Sequence, residues 1–240
     1  MQILSQEGDK KMFLILLAVL PGIVLLGYVW KLDRIEKEPA GLLLKLFVLG
    51  AVSVIPIAFA EVLFDATVMK LFTEHTYTYL LVENFIGVAL IEEGGKYIVT
   101  KKSYRHPAFN YQFDGIVYAV CASMGFAILE NIFYVLEYGF ATALLRAVLS
   151  IPGHFVFGVI MGHYYSLQKK ADVWGDRANQ KRFARWAVIV PMLCHGMYDF
   201  CLSTQELKFI LIFLVFIIVV YIRVFKNLKR YAEQDMALDA

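Results

Sequence analysis

The sequence lacks the long polar stretches from which soluble domains are built. Of its 240 residues, 60% are hydrophobic and only 18% are charged, which is far more apolar than an ordinary soluble domain. The longest clearly polar stretch, residues 168–185, is too short to bury a core of its own. The composition therefore excludes a separate soluble domain and predicts one membrane domain over residues 1–240.

Excess charge and cysteine are scarce as well. The formal net charge is +2, and the basic residues form short blocks between apolar runs, which argues against nucleic acid as a partner. Cys121, Cys194 and Cys201 lie in apolar segments without the CxxC spacing of a zinc knuckle or the density of a disulfide framework. We expect them to be small buried hydrophobic residues.

The chain contains a series of apolar runs that are long enough to cross a bilayer, since about 20 helical residues span the hydrocarbon core. A mixed stretch, residues 61–78, has Phe64, Val68, Leu71 and Phe72 at helical spacing and predicts a short helix in the membrane interface. The fold class is therefore expected to be all-α, a multi-pass bundle of about seven transmembrane helices. Their expected ranges are residues 12–30, 40–60, 79–100, 113–136, 142–166, 183–202 and 207–222.

Lysine and arginine gather in alternate loops of this bundle. They are concentrated at residues 31–37, 101–105, 169–185 and 223–230, whereas the intervening connections carry few basic residues. Basic residues are enriched in cytoplasmic loops. We therefore expect the amino terminus outside the cell and the carboxyl terminus in the cytoplasm.

The third apolar run contains charged side chains, which are energetically costly to place in a membrane. Glu92, Glu93 and Lys96 lie between the apolar residues 85–90 and 97–99, where each charge costs about 2.5 to 3.5 kcal/mol on insertion scales. A membrane helix retains such groups where they face a protein interior or a wet cavity. These residues therefore mark a candidate functional site.

Three later spans supply further polar residues, at similar depth or nearer the outer side when about 1.5 Å of rise is counted per residue. In one of these spans, Gly158 and Gly162 lie on the same helix face as His154 and form a GxxxG motif, which permits close approach of another helix. The groups can therefore converge on one site. The polar residues are Glu130, His154, His195 and Asp199.

Each of these residues also has a structural interpretation. A lone histidine in a membrane often joins two helices by a hydrogen bond, and Asp199 is close enough to a helix end to be solvated by headgroups. Glu130 can be a structural partner of Asn131 or of a histidine. Glu92 and Lys96 can form a structural ion pair, but that leaves Glu93 unexplained.

The ordered motifs of these four spans resemble the PrsW family of bacterial intramembrane proteases, over a core of about residues 83–200. The motifs are Glu-Glu-x-x-Lys at 92–96, Phe-x-x-x-Glu at 126–130, His-x-x-x-Gly at 154–158 and His-x-x-x-Asp at 195–199. The family is similar in turn to the CaaX prenyl endopeptidases. The chain departs from the CaaX pattern, because Lys96 comes one position early, Glu130 replaces a histidine and Asp199 replaces an asparagine, so CaaX roles transfer only loosely.

The resemblance implies a multi-pass hydrolase of the bacterial cell membrane. Its substrate would be a single-pass membrane protein, an anti-sigma factor, which the enzyme would cut at site 1 near the outer membrane face. The cut would start the release of a sigma factor as a response to envelope stress. The partners expected are therefore this substrate and the lipid bilayer.

Peptide hydrolysis needs a base to activate water, donors that hold the oxyanion and an acid for the leaving amine. We expect Glu92 or Glu93 to be the base, with Lys96 keeping the carboxylate charged, and the sequence leaves open which of the two it is. His154 is expected to orient the water, and His195, oriented by Asp199, to donate to the oxyanion. Covalent catalysis is disfavoured, since no serine or cysteine lies at a recognisable spacing from a histidine.

A catalytic zinc is an alternative, because zinc takes three protein ligands and a water. The candidate ligands are Glu93, Glu130, His154 and His195. The sequence lacks the compact His-Glu-x-x-His helix that fixes two ligands and the base in one turn, and the CaaX resemblance implies a glutamate-type enzyme without metal. We therefore expect no metal cofactor.

The rival from another class is a proton-coupled or metal-ion transporter, whose relays also use carboxylates and histidines. Transporters usually contain internal repeats with interrupted helices in matching positions. The sequence has no such symmetry, and the four motif-bearing spans are consecutive, which favours one compact site. A scaffold without chemistry would leave the buried charges unexplained.

Overall fold

The computed structural model describes residues 2–239 of the chain, with side chains from residue 11 onward, so the first and last residues of the predicted domain lie outside it. Within that range the protein is built from helices, and one isolated antiparallel bridge joins Tyr111 to Ala237. A π-helical stretch, Glu83–Leu90, separates α3 from α4. The helices are α1 (Gln2–Leu32), α2 (Ala40–Thr67), α3 (Tyr77–Val82), α4 (Ile91–Thr100), α5 (Asp114–Tyr138), α6 (Phe140–Val148), α7 (Ser150–Val173), α8 (Arg177–Ser203) and α9 (Leu207–Glu233).

Six helical segments of the described chain are long and apolar enough to cross a membrane. The predicted third span is not among them, because it carries the charged residues of the candidate site. It consists of α3, the π-helical stretch and α4, which follow one another directly from Tyr77 to Thr100. The predicted all-α, multi-pass bundle is confirmed, while the orientation of its termini stays a prediction.

Two predicted boundaries are wrong. The interfacial helix at residues 61–78 does not exist as a separate element, because α2 continues through Glu61 to Thr67 and packs Phe64 against the third span, where a Cβ at Gly87 would lie 2.9 Å from the Phe64 ring. The predicted span at 142–166 is divided, because the helix is interrupted at Leu149, between α6 and α7. Both differences bring polar residues to the candidate site.

The close helix approach expected at Gly158 and Gly162 is confirmed. A Cβ at Gly162 would lie 2.4 Å from the Cα of Ile116, and one at Gly158 would lie 2.9 Å from the Cβ of Ser123. Helix α7 therefore packs directly on the backbone of α5. Because His154 lies one turn before Gly158, the contact also turns its ring toward α5, with 5.9 Å between the ring centroids of His154 and Phe126.

The start of α5 is fixed by a group of buried polar residues, which we call the loop cluster: Asp33, Glu38, Asp114 and Tyr118. The Tyr118 hydroxyl donates to Glu38, and the Asp114 carboxylate accepts the backbone N–H groups of Asn110 and Tyr111 at 3.0 and 2.7 Å. These contacts tie the α1–α2 loop and the loop before α5 to the helix start.

Two of the three cysteines are buried as expected. Cys121 and Cys201 are buried, Cys194 is partly buried, and all three carry free thiols.

Candidate active site

The structure brings the seven predicted site residues to one place near the middle and the later half of α5. Helix α4 supplies the two adjacent glutamates and the lysine, α5 supplies Glu130, α7 supplies His154, and α8 supplies His195 and Asp199. The contacts described below link all seven side chains in a continuous network. Convergence of these residues is thus a property of the fold, whereas their catalytic roles stay predictions.

Lys96 is the centre of this network. It lies three and four residues after Glu93 and Glu92 on one helix face, and its Nζ atom is 2.8 Å from Glu92 Oε2 and 2.8 Å from Glu93 Oε1. The side chain of Lys96 is 0% exposed, and its ammonium lies 4.4 Å from the ring centroid of Phe126, a favourable cation–π arrangement. The protein therefore buries one cation between two anions.

The backbone before α4 accounts for part of this placement. Residues 83–90 form a π-helix. This widened turn is rare, is frequent at functional sites, and changes the direction in which the side chains after it point. Gly95 lets α2 approach α4, since a Cβ there would lie 2.4 Å from the end of Ile57. The carboxylates of α4 consequently point between α2, α7 and α8.

The contacts of His154 fix its tautomer. Its Nδ1 atom lies 3.1 Å from Lys96 Nζ, and because an ammonium only donates, Nδ1 is the acceptor and the ring proton is on Nε2. The Nε2 atom lies 3.2 Å from Glu130 Oε2 and donates to it. Arg146 holds the same oxygen at 2.6 Å through Nη2. Glu130 is therefore a partner of His154, as one structural interpretation proposed.

His195 lies between two carboxylates. Its Nδ1 atom is 3.0 Å from Glu93 Oε1 and its Nε2 atom is 3.1 Å from Asp199 Oδ2. Carboxylate oxygens only accept, so both contacts are hydrogen bonds when both ring nitrogens carry a proton. The side chain of Asp199 is 25% exposed and is paired with His195, as expected for a residue that orients the imidazole.

A cavity of about 540 Å³ opens beside the network, within the size range of small-molecule and peptide sites. Glu92 lines it, whereas Glu93 and Lys96 do not, so Glu92 is the member of the glutamate pair that reaches the cavity. The other predicted residues that line it are Glu130, His154, His195 and Asp199.

Sequence reasoning missed two charged residues of this cavity, Glu61 and Arg146. Glu61 was placed in an interfacial helix, although no proline or glycine after Pro56 ends α2 before Thr67. Arg146 lies near the start of the span predicted at residues 142–166, and the sequence assigned it no role. Pro152 is the signal for the helix break that positions it, since proline is typical of the first turn of a helix.

The donor atoms of Glu92, Glu93, His154 and His195 lie within 4.8 Å of one another, an arrangement whose number and type suit a zinc ion. Glu130, proposed from the sequence as a ligand, is not in this group and is held by Arg146 instead. Lys96 Nζ already contacts three of the four donors. Because two cations repel each other at such distances, a metal at these four donors would compete with the Lys96 ammonium for them.

Comparison with known proteins gives one consistent family. Residues 38–224 match the family model described as PrsW family intramembrane metalloprotease. Protease PrsW of Oceanobacillus iheyensis is 36% identical over 219 residues, which cover 91% of this chain and 95% of the relative.

Two further relatives carry the same name. Protease PrsW of Geobacillus kaustophilus is 37% identical, covering 80% of this chain and 81% of the relative, and Protease PrsW of Bacillus subtilis is 36% identical, covering 86% and 91%. No solved structure matches the chain. The family match supports a hydrolase over the transporter and scaffold alternatives and covers all four motif-bearing spans. The chain belongs to the PrsW family of intramembrane proteases, multi-pass proteins of the bacterial membrane.

Proposed function

We propose that this chain cuts a single-pass anti-sigma factor near the outer membrane face, the site-1 cut that starts sigma-factor release under envelope stress. The observation that carries the proposal is Glu92 at the cavity wall, next to a buried ammonium and two imidazoles held in defined orientations. Such a group supplies a base and donors away from bulk water, which peptide hydrolysis requires.

In this proposal Glu92 is the general base. Its Oε2 atom accepts from Lys96, which keeps the carboxylate ionised, and its position at the cavity gives it access to water and substrate. The carboxylate takes a proton from water as the oxygen attacks the scissile carbonyl. The same proton then passes to the amine nitrogen as the carbon–nitrogen bond breaks, so the step is balanced without a covalent enzyme intermediate.

The two histidines have separate parts. His195 has both nitrogens on carboxylates, so in this proposal it stabilises the oxyanion by the positive charge of its ring and donates to it when one of these contacts opens. Asp199 positions the ring. His154 accepts from Lys96 and donates to Glu130, so it fixes the position of the ammonium relative to Glu130. In this proposal it orients the water beside Glu92 when its contact with Glu130 opens. Glu93 supplies the second negative charge that holds Lys96 and His195 in place.

We also propose that the reaction does not use a metal, although the family description names a metalloprotease. Lys96 Nζ lies among the donors that a zinc ion would need and itself provides positive charge where negative charge develops. The class of the enzyme would then be a glutamate-type endopeptidase.

The position of the cut follows from which helix ends line the cavity. They are the late parts of α2, α5 and α8 and the start of α7. In the orientation that the charge bias predicts, these ends lie toward the outer face. The substrate is therefore expected to be cut near its outer membrane boundary.

The experiment is reconstitution of the purified protein in liposomes with candidate single-pass anti-sigma factors, followed by mass spectrometry of the fragments. The wild type should release a fragment that ends near the outer boundary, and Glu92→Gln should not. Glu137→Gln, a change at an exposed glutamate on α5, is the matched control and should cut like the wild type. A cut in the cytoplasmic juxtamembrane region, or equal cutting by Glu92→Gln, would contradict the proposal.

A further inference from the structure

Among the residues that the structure describes, the charged groups that line the cavity or lie beside it are paired with one another, with one exception. Lys96 forms ion pairs with Glu92 and Glu93, each at 2.8 Å, and Arg146 forms one with Glu130 at 2.6 Å. Asp199 is paired with His195. These contacts use the nearby cations of the site for the network already described.

The exception is Glu61, which enters the same cavity from α2. Its Oε1 atom is buried and accepts no hydrogen bond from the residues that the structure describes. Removing a carboxylate oxygen from water without a partner is costly. The cost would be removed by a donor that arrives from outside the protein, and the cavity is the place that the substrate occupies.

The sign of the missing partner follows from the charges around Glu61. Carboxylates of Glu92, Glu130 and Asp199 line the same cavity, against Arg146 and the protonated ring of His195 as cations. A second anion would be repelled, and a neutral group would leave the excess negative charge in place. A lysine or arginine side chain would donate a hydrogen bond to the unpaired oxygen of Glu61 and would offset the excess negative charge.

We propose that Glu61 is a specificity-determining residue, which binds a lysine or arginine side chain of the substrate beside the scissile bond; this inference rests on the proposed proteolytic function. Long basic side chains at the end of a membrane helix extend toward the interface. In the predicted orientation that end is the outer one, where basic residues are depleted in most membrane proteins. Recognition of a basic residue there would exclude most other single-pass proteins.

The test uses synthetic single-pass peptides that carry a fluorophore and a quencher and are built on the segment cut in the reconstitution experiment. At each position around the cut, a peptide with arginine is compared with one that has glutamine. The wild type should prefer arginine at one position by about tenfold or more in kcat/KM, the usual effect of a hydrogen-bonded charge. Glu61→Gln should abolish that preference, so that its kcat/KM values for the arginine and glutamine peptides become equal.

Two further variants sharpen the test. Asp65→Asn removes an exposed carboxylate one turn farther along α2 and should keep the arginine preference. Glu61→Lys should prefer a peptide with glutamate at the same position. An arginine preference that survives in Glu61→Gln, or no preference by the wild type at any position, would overturn the assignment of Glu61. Failure of the wild type to cut any peptide would instead contradict the proposed function.

Discussion

Two groups of buried charge lie toward opposite ends of α5, and they are built differently. The loop cluster joins carboxyl groups to a tyrosine and to backbone N–H groups, and it ties loops to the start of the helix. The network around Lys96 joins side chains from four helical segments to one another and lies beside a cavity. Buried charge alone therefore does not single out a candidate site; the network around Lys96 differs from the loop cluster in its access to a cavity and in its side-chain donors and acceptors.

The largest effect on the cleavage rate is expected from a change at Glu92, the carboxylate that reaches the cavity. Glu92→Gln keeps the shape of the side chain but cannot take a proton, so the cleavage rate should fall by about 10²- to 10⁴-fold, the usual contribution of a general base. The protein should still insert and accumulate. Rates on the reconstituted substrate, with thermal unfolding of the same samples, measure both effects.

The matched change in the loop cluster is Glu38→Gln. It should leave the cleavage rate close to that of the wild type, because Glu38 contacts Tyr118 rather than the cavity. Equal losses of activity in the two variants would mean that the two clusters do not differ in function.

Lys96→Met should reduce both stability and activity. It removes the cation between two buried carboxylates, and breaking a buried ion pair in this way costs about 3 to 5 kcal/mol. Unfolding in denaturant, followed in detergent, measures the loss. A variant as stable as the wild type would show that the carboxylates become neutral or hydrated without the lysine.

Asp199→Asn should have a milder effect on the rate. Asparagine still contacts His195 Nε2, but it provides no negative charge to hold the doubly protonated ring, so we expect a loss of about 10- to 100-fold, as for other residues that orient a functional histidine. His195→Ala should inactivate the enzyme, and it is the reference for the same assay. A loss in Asp199→Asn as large as that in His195→Ala would make Asp199 a direct participant.

The smallest effect is expected in the loop cluster, as a dependence of stability on pH. Burial raises the pKa of the Asp33 carboxyl to about 6 from an ordinary 3.8, against the opposing charge of Lys37. The folded protein therefore binds a proton more tightly than the unfolded chain, and its stability falls as pH rises from about 4 to about 6. Above that range Asp33→Asn should be the more stable protein, by about 1 to 2 kcal/mol.

The control for that prediction is pH itself. The difference between Asp33→Asn and the wild type should disappear below about pH 3, where the aspartate is protonated in both states. Thermal unfolding across this range measures it, and the cleavage rate should not change. An Asp33→Asn protein that is less stable than the wild type at pH 8 would contradict the assignment.

Much of the site was predictable because hydrocarbon makes charged residues conspicuous. Glu92, Glu93, Lys96, His154 and His195 stood in apolar runs, and the cost of burying them singled them out before any geometry was known. Their convergence then followed from helical spacing and consecutive spans. The same reasoning predicted the all-α class and the close packing at the α7 glycines.

Residues near helix ends were not predictable in this way. Glu61 and Arg146 lie where an apolar run gives way to mixed sequence, and there a charged residue is expected at a headgroup or in a loop. Their roles depend on two details, the continuation of α2 to Thr67 and the break at Leu149. Neither detail follows from hydropathy alone. The π-helical turn at residues 83–90 likewise has no signal in composition.

The central claim is that a buried ammonium, Lys96, takes the place that a metal would have in this network and that peptide hydrolysis proceeds from there. The most direct measurement is the cleavage rate and metal content of purified enzyme after treatment with a strong chelator. We predict that the enzyme stays active and contains far less than one metal ion per chain. Loss of activity that added zinc restores would contradict the claim and assign Glu92, Glu93, His154 and His195 as ligands.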